Sequence, residues 1–394
     1  MRTALIYREE LLRPSETFIA AQANSLRRYR PVYVGRMPAE FSLPLDHESE
    51  LLLRKRILPR LMSRMPCWAT RIAGGFHRRV SSRGAALLHA HFATDAAGAL
   101  PLMLDLGIPT VVTLHGYDVM VNDDEMRKTP AGRTYLRHRE SLWRRASLFV
   151  CVSGAIRNRA LKTGFPEHKL FVHYIGIDRR TFTPNDQPRE PLVLFVGRFV
   201  EKKGCRYLVQ AMQKVQQAMP EAQVALIGFG PLQGALEILA GELGVRVTFP
   251  GRCSSTEVKK WLERAKVLCV PSVTAQNGDC EGLPTVIMEA NAVGIPVVGF
   301  EHAGIPEIVK HGETGLLYPE GDVDGLAVGL LRFLREDAFW RAAGRAAARR
   351  VGEHFDIDSQ GAKLEEIYDE VIAQAGAVHN GLHKLAAHGS ASWN

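Results

Sequence analysis

The first 180 residues alternate short apolar runs with longer stretches of helical periodicity. The predicted strands are TALIYR, PVYVGR, ALLHAHF, PTVVTLHG, SLFVCVS and KLFVHYIG, and the predicted helices include SETFIAAQANSLRR, TDAAGALPLMLDLG and GRTYLRHRESLWRRA. Because apolar positions in the strands are nearly continuous, both faces of the sheet must be covered. This alternation predicts a parallel sheet with helices on both faces.

The same pattern restarts after a polar stretch at 181–191, TFTPNDQPREP, whose three prolines predict a linker. New strands follow at LVLFVGR, AQVALIGFG, VRVTFPG, KVLCVPS and PVVGF, with helices between them. We therefore predict an α/β protein of two Rossmann-like, doubly wound domains, residues 1–180 and 192–354, facing each other across a cleft. Open sheets of this kind bind ligands at the carboxyl ends of their strands.

The chain ends with an amphipathic pattern and a weakly patterned tail. In residues 355–376, five apolar side chains share one side: Leu364, Ile367, Tyr368, Val371 and Ile372. This segment predicts a helix that packs back toward the N-terminal domain. Residues 377–394 lack strong structural signals, and we expect a mobile tail there.

Composition and cysteine usage place the chain among cytosolic globular proteins. Its 394 residues are 46% hydrophobic and 23% charged, and they contain no run of eighteen apolar residues. The start, MRTALIYREELLRPS, predicts a first strand and not a signal peptide. The six cysteines could form three disulfides, but Cys151 and Cys269 lie in predicted buried strands. Reduced thiols are therefore the favoured state.

The net charge of +8 includes a strongly basic segment from Arg54 to Arg83. No acidic residue occurs between Leu51 and Thr94, and apolar residues interleave with the cations at roughly helical spacing. One interpretation is a solvated helix face. Another is a surface that docks on anionic lipid head groups or binds an anionic, lipid-linked substrate. Nucleic acid is disfavoured because the segment has no recognisable nucleic-acid motif.

Two motifs of the second domain suit a phosphorylated ligand. GRFVEKKG places Arg198 and Lys203 on a strand-to-helix turn, where helix N–H groups and cations favour a diphosphate. They could also be ordinary loop cations, since Walker and G-x-G-x-x-G patterns are absent. IGFGP places Gly228 and Gly230 at a strand end, where glycine permits close approach of a nucleobase, although strand ends are glycine-rich in general.

A pair of glutamates, Glu281 and Glu289, brackets the start of a predicted helix in CEGLPTVIMEA. Pro284 or Thr285 is a natural first helical residue, so Glu281 lies in the preceding loop and Glu289 lies about 7 Å along the axis. Two ordinary surface charges are one explanation. Carboxylates that accept hydrogen bonds from sugar hydroxyls are the other, because apolar neighbours leave Glu289 little polar surface.

These motifs together resemble the retaining GT-B glycosyltransferases of family four. EGLPTVIMEA followed by GIPVVGFEHAGIPEIVKHGETGLLYPEGD carries the resemblance, together with GRFVEKKG, IGFGP, HGYD, VSG and IGID in the family's order. RPSETFI is similar to a subgroup that assembles bacterial exopolysaccharide of the colanic-acid type on a lipid carrier. A glycine pair common in the family's first loop is replaced by Pro14 to Thr17.

The resemblance implies a glycosyltransferase that acts at the cytoplasmic face of the membrane. Its donor would be a nucleotide sugar, with a UDP-sugar expected first and a GDP-sugar second. Its acceptor would be a polyisoprenyl-diphosphate-linked or other glycan. Arg198 and Lys203 would hold the donor diphosphate, Glu281 and His115 would contact the transferred sugar, and Glu289 would bind the ribose. Backbone N–H groups of Gly282, Leu283 and Thr285 would face phosphate or sugar. Asp118 could serve the site or cap a turn.

No metal or other cofactor is expected. Asp123 and Asp124 are adjacent and form no DxD motif, and His89 and His91 have no third ligand nearby in sequence. These histidines are predicted to be structural or to face substrate. Two other functions remain open: a GT-B enzyme with a small acceptor, and a catalytically silent scaffold that binds sugar nucleotides.

Overall fold

The computed structural model describes residues 1–40, 42–53, 71–184 and 188–389. The chain clusters into two compact units. The first comprises Met1–Val152, Arg157–Gly176 and Asp358–Asn394, and the second comprises Ser153–Ile156 and Ile177–Ile357. The first unit thus includes the C-terminal segment as well as the N-terminal part of the chain.

The first unit contains a seven-stranded parallel sheet in the order β3-β2-β1-β4-β5-β6-β7. Its strands are β1 (Arg2–Leu11), β2 (Tyr29–Pro38), β3 (Ser49–Leu51), β4 (Ala85–His91), β5 (Thr110–Leu114), β6 (Leu148–Cys151) and β7 (Leu170–Val172). Six of them follow the predicted apolar runs. The edge strand β3 was not predicted, because three residues with a central glutamate carry no apolar pattern.

Short helices connect these strands. They are α1 (Thr17–Ser25), α2 (Arg71–Ser81), α3 (Ala93–Gly98), α4 (Leu100–Leu106), α5 (Tyr117–Met120), α6 (Asp123–Arg127), α7 (Pro130–Arg145) and α8 (Gly154–Thr163). Local chemistry explains where α7 begins: the Thr129 side chain accepts from the Gly132 N–H, and Pro130 occupies the first turn. The single predicted helix at 94–107 is two helices, α3 and α4.

The second unit contains a six-stranded parallel sheet in the order β10-β9-β8-β11-β12-β13. Its strands are β8 (Leu192–Val196), β9 (Gln223–Ile227), β10 (Val247–Gly251), β11 (Val267–Val270), β12 (Val297–Phe300) and β13 (Gly315–Tyr318). The helices are α9 (Cys205–Ala218), α10 (Gln233–Glu242), α11 (Ser255–Arg264), α12 (Thr285–Ala292), α13 (Ile305–Ile308), α14 (Val323–Arg335) and α15 (Asp337–His354). Both sheets therefore have the doubly wound order, as predicted.

The last helix, α16 (Ile357–Gly389), completes the first unit. Leu364 and Tyr368 are buried in a core cluster with residues of β1, and Glu365 accepts hydrogen bonds from backbone N–H groups at the start of β2. The predicted end of this helix at residue 376 was wrong, since the backbone stays helical to Gly389. The sequence beyond 376 contains no proline and several good helix formers.

Four sequence predictions fall partly on residues outside the described ranges: the state of the cysteines, the basic segment, the linker at 181–191 and the tail at 377–394. These residues include Cys67 and most of the basic segment, residues 54–70. The other five cysteines are free thiols, and Cys151 and Cys269 are buried in strands as expected. No helix in the described ranges combines the length and the apolar character that a membrane span requires.

The described end of the basic segment is partly neutralised. Arg79 of α2 and Arg83, which follows α2, both form ion pairs with Glu50 of β3, and Arg83 also pairs with Glu48. The sequence did not indicate this, because the two glutamates precede the run that lacks acidic residues. Binding of this segment to anionic membranes stays a prediction.

Candidate functional site

In the second unit, the two loops that follow β8 and β11 lie side by side. These neighbouring strands form the point where the strand order reverses, which is where doubly wound sheets bind ligands. The Val273 N–H donates to the Lys202 carbonyl oxygen at 2.9 Å. Gly204, with φ of +61°, lies so close to the Pro271 carbonyl that any side chain there would collide with it. The candidate site is built on these two loops.

A buried ion pair joins the loops. Lys203 Nζ lies 2.7 Å from Glu281 Oε1, and the Ser272 hydroxyl donates to the same oxygen at 2.9 Å. Burial alone would raise the pKa of Glu281, but the charges of Lys203 and Lys202 and the two hydrogen bonds lower it to about 2. Glu281 is therefore an ionised acceptor of hydrogen bonds at neutral pH and not a proton donor.

A second lysine, Lys202, supports the same loop. Its Nζ lies 2.9 Å from Asp279 Oδ1 and donates to the Cys280 carbonyl oxygen at 3.1 Å. The lysine pair and two acidic side chains thus cross-link the turn after β8 to the segment after β11. Sequence reasoning missed Lys202 and Asp279, although KK beside Gly204 and an acid two residues before Glu281 were visible signals.

His302 fixes the backbone of Glu281. The imidazole is buried, its Nε2 accepts from the Glu281 N–H at 3.4 Å, and its Nδ1 lies 2.6 Å from Glu320 Oε1. Glu320 in turn accepts from the Thr274 N–H at 3.0 Å. His302 and Glu320 carry no signal in the sequence, because only the fold brings them near Glu281.

Arg198 is exposed at the end of β8, next to this cluster in sequence. Within the described residues its guanidinium has no hydrogen-bond or ion-pair partner, whereas Lys203 is already paired with Glu281. An unpaired guanidinium offers up to five donors to an anion. Arg198 is thus available to a phosphate without the loss of an existing contact.

Unused backbone donors gather where α12 begins. The helix starts at Thr285, as the sequence predicted, with Pro284 in the N-cap position. Across the described part of the chain, nothing accepts a hydrogen bond from the N–H groups of Gly282, Leu283 or Thr285. Open donors at a helix start attract anions. The loop is held by Gly304, where any Cβ would collide with the Gly282 carbonyl.

Glu289 lies on α12, eight residues after Glu281. It is half-buried, and burial raises its pKa to about 7. No group in the described ranges donates a hydrogen bond to its carboxylate. A half-buried acid without a partner gains from a ligand that donates hydrogen bonds.

Gly228 and Gly230 are required first by the protein's own packing. A Cβ at Gly228 would collide with the Gly197 carbonyl, and a Cβ at Gly230 would collide with Phe199. Between them, the ring of Phe229 is 40% exposed, and the Arg252 guanidinium lies 3.4 Å from its centroid. Contact with a nucleobase stays a prediction for both glycines.

In the first unit, His115 follows β5 and joins a row of stacked imidazoles. Its Nε2 lies 3.0 Å from His91 Nδ1, and its ring contacts Phe18 and Phe92. Burial, together with the charges of Arg8 and His89, lowers the pKa of His115 well below its usual value. His115 is therefore neutral at physiological pH.

Asp118 organises the loop that carries His115. Its buried carboxylate accepts from the N–H groups of Ala93, His115 and Gly116 at 2.9, 3.1 and 3.0 Å. Asp118 thus has a structural role. It holds its own loop and the start of α3, whereas the sequence suggested the cap of the following turn.

The loop that lacks the family's glycine pair is held by charge. Glu16 is buried and forms an ion pair with Arg8 at 2.6 Å, and it accepts from the Arg13 N–H at 3.1 Å. Arg8 also pairs with Asp95 and lies over the ring of Phe92. Glu16 therefore shapes this loop from within.

The described residues contain no cluster of three or more His, Cys, Asp or Glu side chains that could hold a metal ion. His89 lies 2.6 Å from both the Tyr368 hydroxyl and the Thr113 hydroxyl, and it is fully buried. His89 is thus part of an internal hydrogen-bond network. This is the structural role, one of the two that the sequence predicted for it.

Comparison with known proteins places both halves of the chain in glycosyltransferase families. Residues 178–350 match the family described as glycosyl transferases group 1, and residues 16–181 match glycosyltransferase family 4.

Two curated relatives carry names in exopolysaccharide biosynthesis. WcaL of Escherichia coli (strain K12), named for colanic acid biosynthesis, is 34% identical over 69% of this chain and 66% of its own length. The amylovoran biosynthesis glycosyltransferase AmsK of Erwinia amylovora is 31% identical over 72% of this chain and 70% of its own length. The chain thus spans about two thirds of these relatives.

The fold is similar to that of solved glycosyltransferase structures. Anabaena Alr3699/HepE, solved in complex with UDP and glucose, superimposes with a TM-score of 0.75 at 18% identity, covering 94% of this chain and 100% of its own. The fold and the sequence matches agree. The protein belongs to the glycosyltransferases of family four and has the GT-B fold.

Proposed function

We propose that the protein is a retaining, metal-independent hexosyltransferase of bacterial polysaccharide biosynthesis. It transfers a sugar from a nucleotide donor, a UDP-sugar in preference to a GDP-sugar, to a lipid-linked or other glycan acceptor at the cytoplasmic face of the membrane. The observation that carries the proposal is the Lys203–Glu281 pair beside the open N–H groups at the start of α12. The relatives' names and the UDP in the HepE structure support the substrate classes.

The donor diphosphate is held by Arg198, Lys203 and the N–H groups of Gly282, Leu283 and Thr285. Arg198 has no partner to give up within the described part of the chain, and the start of α12 supplies a positive dipole end. These groups bind the leaving diphosphate more strongly as its negative charge grows. They therefore stabilise the transition state more than the ground state.

The sugar and the ribose contact the two glutamates. Glu281 is ionised, so it accepts hydrogen bonds from hydroxyls of the transferred sugar. Glu289 accepts from the ribose hydroxyls, which satisfy an acid that has no donor among the described residues. Gly228 and Gly230 let the backbone approach the base. His115, which is neutral at physiological pH, contacts the transferred sugar.

The reaction needs no protein nucleophile in this proposal. The acceptor hydroxyl attacks the anomeric carbon as its bond to the diphosphate oxygen breaks, on the same face of the sugar. A phosphate oxygen of the leaving group takes the hydroxyl proton. Glu281 cannot supply a proton at neutral pH because its pKa is about 2, which is consistent with a purely accepting role.

The test is a panel of nucleotide sugars incubated with the protein and a bacterial lipid extract, read by nucleotide release and by mass spectrometry of the product. Release that depends on the extract, with an anomeric configuration equal to the donor's and with full rate in chelator, supports the proposal. Transfer only to a small soluble acceptor would favour a synthase of that type. Absence of release with every donor would favour a silent binding protein.

A further inference from the structure

A large groove in the first unit lies outside the residues proposed to bind the donor. It has a volume of about 1240 Å³ and is lined by residues of α3, α4 and α7 and by residues near the ends of β1 and β2. Pockets for drug-sized ligands are about 300–1,000 Å³, so this groove is large enough for a molecule of that size or larger. Among the described residues, all that line it belong to the first unit.

One wall of the groove is apolar. Pro101 and Leu104 line it from α4, next to the largely buried side chains of Ala97 in α3 and Leu100 in α4. Leu104 is 52% exposed, although it lies on a short helix whose neighbours Leu102 and Met103 are buried. Together with Pro101, it provides apolar surface that an apolar chain can cover.

The opposite wall is basic. Arg133 and Arg137 line the groove from α7, one helical turn apart, and Arg144 and Arg145 line it further along the helix. Arg144 is paired with Glu140 at 3.7 Å, so the uncompensated charge of interest is that of Arg133 and Arg137. Side chains at this spacing have Cβ atoms about 5–6 Å apart, a span that two linked phosphates can bridge. Arg137 has no partner within the described residues, and Arg133 donates only to the carbonyl oxygen of Arg127. Their charges are therefore not neutralised by the protein.

The acidic residues that line the groove do not offset this charge. Asp95 pairs with Arg8, Glu9 pairs with Arg36 at 3.0 Å, and Glu10 pairs with Arg13 at 2.9 Å. Each of these three acids is thus already paired with an arginine. The face of α7 keeps its excess positive charge and faces an apolar wall.

We propose that this groove binds the lipid carrier of the acceptor, with the isoprenoid chain along Pro101 and Leu104 and the diphosphate on Arg133 and Arg137. An amphiphile with an anionic head matches one apolar and one basic wall, whereas a free glycan would leave the apolar wall uncovered. This inference rests on the proposed function for the identity of the acceptor.

The experiment is calorimetric titration of the full chain with farnesyl diphosphate, a short isoprenoid diphosphate, compared with inorganic diphosphate. The wild type is expected to bind farnesyl diphosphate at least about tenfold more tightly than inorganic diphosphate. Arg133→Ala/Arg137→Ala should weaken binding by about tenfold or more, and Leu104→Ser by several-fold. Matched controls are Arg341→Ala/Arg345→Ala on α15 and Ile238→Ser on α10, which should bind as the wild type does.

Three outcomes would overturn the proposal: wild-type affinity in the groove variants, equal affinity for inorganic diphosphate, or groove-dependent binding of an acidic oligosaccharide in place of the lipid. Lys203→Met separates this inference from the proposed function. If it keeps its affinity for farnesyl diphosphate, the lipid is not bound in the donor site. If the wild type binds the lipid but releases nucleotide from no donor, the proposed function fails and the groove stands.

Discussion

Glu281 stays ionised inside the protein because cations surround it. Burial opposes the charge, but Lys203, Lys202 and Ser272 lower the pKa to about 2. The sequence indicated Lys203 and Glu281 separately, through the resemblance of each motif. Their direct contact could not be predicted, because it depends on how the loop after β8 meets the loop after β11.

Glu281→Gln and Lys203→Met should each lower the rate of sugar transfer by about a hundredfold or more. Either change removes one charge of a pair that orients the donor, while the size of the side chain is nearly kept. Circular dichroism should show a folded protein for both. Lys214→Met, which removes an exposed lysine of α9, is the control and should keep the wild-type rate. A wild-type rate in Lys203→Met would remove that residue from the site.

Stability at low pH should also depend on Glu281. Its pKa in the folded protein is below the ordinary value of 4.5, so its ion pair stabilises the fold above about pH 4.5. That contribution is lost as the pH falls toward about 2. Urea unfolding of the wild type and Glu281→Gln should therefore converge as the pH falls below about 4. A difference in stability that is the same at pH 7 and pH 3 would contradict this explanation.

The effect of Glu289 on stability should have the opposite dependence on pH. Burial raises its pKa from 4.5 to about 7, so the folded protein without ligand loses stability as the pH rises through this range. Glu289→Gln should be more stable than the wild type at pH 8, by about 1–3 kcal/mol, and no more stable at pH 4.5. Chemical denaturation at the two pH values measures this. An equal effect at both would mean that the acid is not desolvated.

Binding of the ribose to Glu289 has its own signature. Hydroxyl donors favour the ionised carboxylate, so nucleotide binding at pH 7 should release up to roughly half a proton. Calorimetry in buffers of different ionisation enthalpy counts the proton, and Glu289→Gln should release none. Equal proton release by both proteins would place the ribose elsewhere.

At the scale of elements, the start of α12 was well predicted and its surroundings were not. Pro284 sets a helix start through fixed dihedral angles and a missing N–H, and these are local properties of the sequence. Gly304 and His302, which hold the preceding loop, lie about twenty residues further along. Their roles depend on tertiary contacts that a hydrophobic pattern does not encode. Strand β3 was missed for a different, local reason: three residues are too few to show an apolar pattern.

Gly304→Ala should disturb the donor loop directly. The glycine has φ of −80°, which alanine tolerates, so the effect comes only from the collision of the new methyl group with the Gly282 carbonyl. We expect a loss of about 1–3 kcal/mol in stability and weaker nucleotide binding. Gly241→Ala on α10 is the control, because a Cβ there meets open space. That change should stabilise the protein slightly. Unchanged nucleotide binding by Gly304→Ala would separate this loop from the site.

At the scale of the whole molecule, two parallel sheets repeat one strand order. The repeat was predictable because near-continuous apolar strands alternate with helices twice along the chain. The position where α16 ends was not predictable, since residues 377–394 have no strong apolar periodicity. The apolar side of α16 predicted that it packs against a core, while the hydrogen bonds of Glu365 to the start of β2 became visible only in the structure.

Glu365 should contribute strongly to the first unit. It accepts from the N–H groups of Arg27, Arg28 and Tyr29 and pairs with the Arg28 side chain. Glu365→Ala leaves the buried Tyr29 N–H and two part-buried N–H groups without this acceptor and should cost about 2–4 kcal/mol in the free energy of unfolding. Its exposed neighbour provides the control, Glu366→Ala, with a change within about 0.5 kcal/mol. Hydrogen exchange should increase at the start of β2 in Glu365→Ala only. Equal stability of the two variants would contradict this role.

The central claim is that the loops after β8 and β11, together with the start of α12, bind the diphosphate of a nucleotide sugar. Calorimetric titration of UDP and GDP into the wild type and into Arg198→Ala/Lys203→Met tests it most directly. We predict one binding site in the wild type and a loss of about a hundredfold or more in the double variant, with Lys214→Met unchanged. Equal affinity in the wild type and the double variant, or no binding of either nucleotide to the wild type, would contradict the claim.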